Sequence, residues 1–146
     1  MLMIPPEYQP GASPGQNADA NFAPPAEAVA EMMRYNEELA KAGVLRSLDG
    51  LHPLLKGARV SYRKGKTTVT DGPFIEAKEV VGGYWLIDVK SKEEAVEWAK
   101  RCPAVKADSG ATIEVRQIFE MSEMPPEVRK AGESKVVQDA LDKHRK

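Results

Sequence analysis

Between Ala26 and Ala42 apolar side chains return every three or four residues, at Val29, Met32, Met33, Tyr35, Leu39 and Ala40, and Gly43 follows. This spacing predicts an amphipathic helix with one buried face and a glycine stop. A first short strand is expected at Met1 to Ile4, and the residues between Pro5 and Pro25, rich in Pro, Gly, Asn and Ala without periodicity, read as a long loop. After the helix, Val44 to Leu51 resumes in extended form. The run ARVSYRKGKTTVT (58–70) alternates about Lys64-Gly65 as a two-stranded hairpin, and Asp71-Gly72-Pro73 ends it. VVGGYWLIDV (80–89) differs from the others: Val81, Trp85, Ile87 and Val89 alternate with Val80, Tyr84 and Leu86, so both of its faces are apolar. Ser91 with Glu94 forms a capping-box pattern, and Ala95, Val96, Trp98 and Ala99 carry a second helix to Cys102-Pro103. Ala111 to Phe119 alternates as a last strand.

Setting the hairpin aside, the order is strand, helix, strand, strand, helix, strand. This is the α+β, ferredoxin-like βαββαβ unit with an inserted β-hairpin. Two helices cover one face of a four-stranded sheet, yet the central strand is apolar on both. A second copy of the same sheet is the economical cover, since two-fold homodimers are the commonest oligomers. The pattern defines one domain over residues 1–120 and a charged C-terminal tail over 121–146, which contains Pro125-Pro126 and room for a short helix.

Composition narrows the function classes. The chain has 146 residues, enough for one core, with 21 basic and 22 acidic side chains interleaved, so the broad positive field expected of a nucleic-acid binder is missing. The most basic stretch, Arg63 to Lys66, reads as a solvated hairpin tip. No run approaches the roughly 18 apolar residues of a membrane span, and the opening residues lack a signal-peptide pattern. A lone Cys102 precludes an internal disulfide and suits a reducing compartment, with the cytoplasm as the default. With no HxxxH or paired cysteines, no metal site is expected.

The candidate chemistry is acid-base. Asp71 either caps its turn by accepting backbone N–H bonds or acts as a general acid or base at the mouth of a cleft. Glu76 and Lys78 share one side of an extended segment, as a surface ion pair or, if part-buried beside Asp71, as a source of a raised carboxyl pKa. His52, between Leu51 and Pro53 where the chain leaves a strand, titrates near neutrality and suits proton transfer, or is simply solvated. Arg116 shares a side of the last strand with Glu114 and can hold an anionic ligand in its fork of N–H donors or pair across the sheet. The two glycines of VVGGYW lie inside a strand, where they permit close backbone packing rather than nucleotide binding.

TDGPF (70–74), Glu76-Ala77-Lys78-Glu79, GGYWLIDV (82–89) and Glu114-Val115-Arg116, with AGV (42–44) and DGLHP (49–53) in order before them, resemble the DGPF subgroup of the YCII-related family. That resemblance implies a dimeric α+β barrel: a ferredoxin-like homodimer with a cleft beside the sheet, holding a small-molecule ligand or enzymatic site and needing no cofactor. Some relatives are associated with sigma factors of the extracytoplasmic type, which implies a second function class, a non-catalytic accessory module. Founding members carry a histidine on the first helix, proposed to work with an aspartate. In this chain that region holds Tyr35 and Asn36, and Tyr35 joins the candidate ligand contacts. The expected site is thus Asp71 and His52 for proton transfer, with Arg116, Glu76, Lys78 and Tyr35 holding the ligand.

Overall fold

A computed structural model describes residues 1–8, 23–72, 79–106 and 110–144. The chain forms two compact units, Met1–Arg116 and Gln117–Lys146. In the first unit, β1 (Leu2–Ile4), α1 (Ala26–Lys41), β2 (Leu45–Gly50), β3 (Ala58–Arg63), β4 (Lys66–Asp71), β5 (Gly83–Ile87), α2 (Lys92–Arg101), the short α3 (Pro103–Lys106) and β6 (Thr112–Glu114) follow in order. Four strands form an antiparallel sheet in the order β2-β5-β1-β6, and among the described residues β3 and β4 pair only with each other. This is an α+β architecture with ferredoxin-like strand order.

The element ends follow local chemistry. At the end of α1 the N–H of Gly43 bonds to Ala40 O and that of Val44 to Leu39 O, with Gly43 at φ 73°. These two bonds are a Schellman motif, and the left-handed turn needs glycine. Val44 thereby packs against the same core as Leu39. At the start of α2 the Ser91 hydroxyl accepts from the Glu94 N–H at 3.2 Å, while the Glu94 carboxylate accepts from the Lys90 N–H, one residue ahead of the cap. The hairpin closes through Lys64 at φ 52° and Gly65 at φ 78°, two successive left-handed residues, as a two-residue turn matched to strand twist requires.

Two strands are shorter than the alternation predicts. The last strand, expected over Ala111 to Phe119, pairs only at Thr112–Glu114, because its sole neighbour β1 offers three residues. Ile118 and Phe119 are exposed within the second unit. The central strand keeps Gly83–Ile87 of the expected 80–89, although Gly82 still uses both backbone groups, donating to Met3 O and accepting from Leu51 N. The C-terminal residues, expected to hold a short helix, form two: α4 (Pro126–Ala131) and α5 (Lys135–His144). The loop expected over 5–25 lies mostly outside the described residues.

Register divides the sheet cleanly. Leu48 pairs with Trp85, Met3 with Gly83 and Ile113, and Leu45 with Ile87, and these apolar residues join Tyr35, Leu39, Ala99 and Cys102 in one core with α1 and α2. Trp85 is its hub. Its ring meets Tyr35 edge-on at 5.9 Å, and its Nε1–H donates to Asn36 Oδ1 at 2.7 Å. Asn36 is itself buried, so the amide supplies a partner that a core otherwise lacks. The Tyr35 hydroxyl in turn donates to Trp98 O at 2.9 Å, linking α1 to α2.

Replacing Asn36 with Leu leaves the Trp85 N–H buried and unpaired, and urea denaturation should show a loss of about 1–3 kcal/mol. A change within about 0.5 kcal/mol would mean that the indole finds another acceptor. Burial also pushes the Tyr35 phenol far above its ordinary range. Because the folded state holds that proton more tightly than the unfolded state, this contribution to stability is whole below the ordinary tyrosine value of about 10 and falls as pH rises past it. Melting temperatures between neutral and alkaline pH should therefore decline less steeply in Tyr35→Phe than in the native chain.

Candidate functional site

Cross-strand partners in an antiparallel sheet share a face, so the residues opposite the Trp85 side can be read from the register. One row runs Asp49, Tyr84, Leu2, Glu114 straight across all four strands. Its ends lie about 14 Å apart at the usual strand spacing. Ser47 and Leu86 form the next row on one side, and Ile4 and Thr112 pair on the other. Neither α1 nor α2 lies on this face. It is less apolar than the central strand alone implies, because β2 and β6 contribute Ser47, Asp49, Thr112 and Glu114 around half-buried Leu2, Tyr84 and Leu86.

Two polar pairs stand on it. The Tyr84 hydroxyl donates to Asp49 Oδ2 at 2.9 Å, and the bond to this carboxylate, reinforced by its charge, raises the Tyr84 pKa. The phenol proton is committed to this carboxylate, so the pair offers a ligand the phenol oxygen and the remaining carboxylate lone pairs as acceptors in fixed positions. Across the face, Arg116 Nε lies 3.6 Å from Glu114 Oε1, both side chains reaching solvent. An ion pair at that distance and exposure is weak, so the guanidinium remains available to a planar anion.

The residues singled out from the sequence do not converge. Asp71 ends β4 at the root of the hairpin, paired with Ala58, and is exposed. The backbone there is tight: Gly72 N–H donates to Gly57 O at 2.8 Å, and a Cβ on Gly72 would fall 1.8 Å from Leu54 O. His52 is exposed, just beyond a point where Leu51 is held by Gly82 through its N–H and by the Tyr8 hydroxyl through its carbonyl. Because β2 and β6 run in opposite directions, His52 departs from the Asp49 row toward one end of the sheet and Arg116 toward the other. Several rows and three strands separate them. Glu76 and Lys78 lie outside the described residues. Tyr35, expected among the ligand contacts, is 3% exposed with its hydroxyl given to a backbone carbonyl, because the core needs an aromatic partner for Trp85. It only borders a surface hollow of about 460 Å³ between α1 and α3, where Arg101 is occupied by Glu38 and by the Trp98 ring.

Asp49 and Tyr84 were missed by motif reasoning, although one signal was present: Asp49 alternates with Leu48, so a buried Leu48 puts Asp49 on the opposite face, the one Tyr84 takes when Trp85 is buried. Cys102 has no reactive environment. It is almost wholly buried, and desolvation pushes its thiol pKa up. Among the described residues no group of three His, Cys, Asp or Glu side chains is placed to hold a metal ion, and no helix is long and apolar enough to cross a membrane.

Asp49→Asn removes the charge that holds the Tyr84 proton. Titration followed by tyrosinate absorbance, with Tyr84→Phe assigning the signal, should show Tyr84 ionising at lower pH in Asp49→Asn than in the native chain. The melting temperature should scarcely move, as the pair is exposed.

Comparison with known proteins agrees with this architecture. The sequence profile of the YCII-related domain matches residues 12–122. An uncharacterised protein of Rhizobium meliloti (strain 1021) is 31% identical over 97 residues, which span 65% of this chain and 77% of that protein.

Proposed function

The chain belongs to the YCII-related domain family, and on that footing we propose that it binds a small organic molecule on the sheet face that neither helix covers, closed by a second copy of the chain. The TDGPF sequence supports our reading of it as a member of the DGPF subgroup, and its single buried cysteine supports a reducing compartment such as the cytoplasm. The observation that carries the reading is the Tyr84–Asp49 bond at 2.9 Å, which fixes a pair of hydrogen-bond acceptors beside an apolar floor of Leu2 and Leu86. Ligand sites combine such a floor with a few convergent polar groups.

Arg116 takes an anionic group of the ligand, preferably a carboxylate, whose two oxygens match the guanidinium fork. His52 and Asp71 belong to the opposite end of the sheet, so within one copy they are too far from Arg116 to share a small molecule with it. A two-fold partner laid on this face with its axis between the two sheets and oblique to the strands, so that both the ends and the edges are exchanged, sets the acid-base groups of one copy toward the anion-binding group of the other. Proton transfer by His52 and Asp71 therefore requires the dimer, whereas binding to Tyr84 and Asp49 requires only the face.

Three measurements check this. Sedimentation at micromolar concentration should give a dimer, and a species of about the 16.0 kDa chain mass would overturn the closed site. For a ligand retained from the host and identified by mass spectrometry, Asp49→Asn and Arg116→Ala should each weaken binding at least tenfold with the melting temperature kept. Asp71→Asn keeps an acceptor for the turn, so a stable variant with tenfold weaker binding or turnover assigns the Asp71 charge to the site. Unchanged binding confines Asp71 to the hairpin root.

A further inference from the structure

Among the described residues the β3–β4 hairpin is a two-stranded sheet on its own, with no further strand on either outer edge. Its two faces differ. Val60 faces Val69 across the strands, and Tyr62 and Ala58 extend that side, while Arg59, Arg63 and Lys66 lie on the other with Ser61 and Thr68. The apolar side is bare: Val60 is 70% exposed, Tyr62 73% and Val69 66%. An isolated hairpin is marginal in water, since two strands bury too little to offset the entropy of ordering them. Valine and tyrosine are strand formers that derive their advantage from packing, and here their exposure leaves most of that advantage unused.

We propose that this hairpin is an intersubunit arm whose Val60–Tyr62–Val69 side packs on a second copy of the same chain. Two observations choose that occupant. The net charge of the chain is −1, and the hairpin, residues 58–71, carries four basic side chains, Arg59, Arg63, Lys64 and Lys66, against one acidic one, Asp71 at its root, so the arm carries +3 and the remainder of the chain −4. The arm is thus opposite in sign to the body of another copy, and because its basic side lies away from the apolar one the charge acts at long range, steering the encounter while the apolar side makes the contact. The exposed apolar side amounts to a few hundred Å², as large as the largest patch on a typical monomer. It is short of the roughly 800 Å² per partner of a stable interface, and the sheet face that neither α1 nor α2 covers supplies the balance. Asp71 roots the arm on the same side as Val69, so a copy seated there also encloses that carboxylate.

The inference rests on the dimer of the preceding reading and adds the arm to it. Val60→Thr, Tyr62→Thr and Val69→Thr, combined in the full chain, keep β-branched strand formers while removing apolar surface. The dimer dissociation constant, measured by sedimentation, should rise at least tenfold with the melting temperature of the body retained. In the native chain, hairpin amides should exchange hydrogen more slowly as protein concentration rises through that constant. A dimer of unchanged affinity with concentration-independent hairpin exchange overturns the arm while leaving the sheet-face dimer standing. Leu86→Glu tests that face separately: if it leaves the dimer intact while the arm variant dissociates, the sheet-face contact fails and the arm stands. A native chain that remains monomeric overturns both. Protection of the hairpin by added RNA and not by protein concentration also overturns the arm, assigning its basic side to nucleic acid.

Discussion

The bond from the Trp85 indole to the Asn36 side chain organises this molecule. An indole N–H within a core must be paired, and the partner has to come from a fixed direction. Asn36 provides it from the middle of α1, which fixes the rotation of that helix over the sheet and brings Tyr35 edge-on to the same indole. Tyr35 then ties α1 to the backbone of α2 at Trp98. One central strand and two helices are held by two aromatic side chains, one amide and one backbone carbonyl.

The other face of the sheet follows from this one. With Trp85 turned toward the helices, the two-residue period of a strand turns Tyr84 and Leu86 away, and the pairing of β2 with β5 brings Asp49 beside Tyr84 and Ser47 beside Leu86. The polar pair on the uncovered face is therefore a geometric consequence of the core. Any slip of one residue between β2 and β5 would bury Asp49 and expose Leu48, so the core enforces the register that assembles the candidate site.

Much of the fold was legible because it depends on local interactions. The Gly43 stop, the Ser91 cap and the Lys64-Gly65 turn each satisfy backbone groups with residues a few positions away, and all three stand where the chain pattern puts them. Strand lengths were less legible. Ala111 to Phe119 alternates throughout, yet a strand extends only as far as its neighbour, and β1 has three residues. The candidate site was the least legible part. Asp71 and His52 were conspicuous as residue types, while Asp49 and Tyr84, which lie inside DGLHP and GGYWLIDV, carry no chemical signature of their own and meet only through a pairing 35 residues apart in sequence.

The sequence by itself determined the order of elements, their caps and turns, and the fact that the central strand is apolar on both sides, since these follow from spacing and short-range hydrogen bonding. Only the tertiary structure decided which face of that strand the helices cover, that Tyr35 belongs to the core, and that His52 and Arg116 stand at opposite ends of the sheet. Those outcomes rest on strand direction and register. These are set by long-range pairing and by the need to satisfy one buried indole, and no local pattern encodes them.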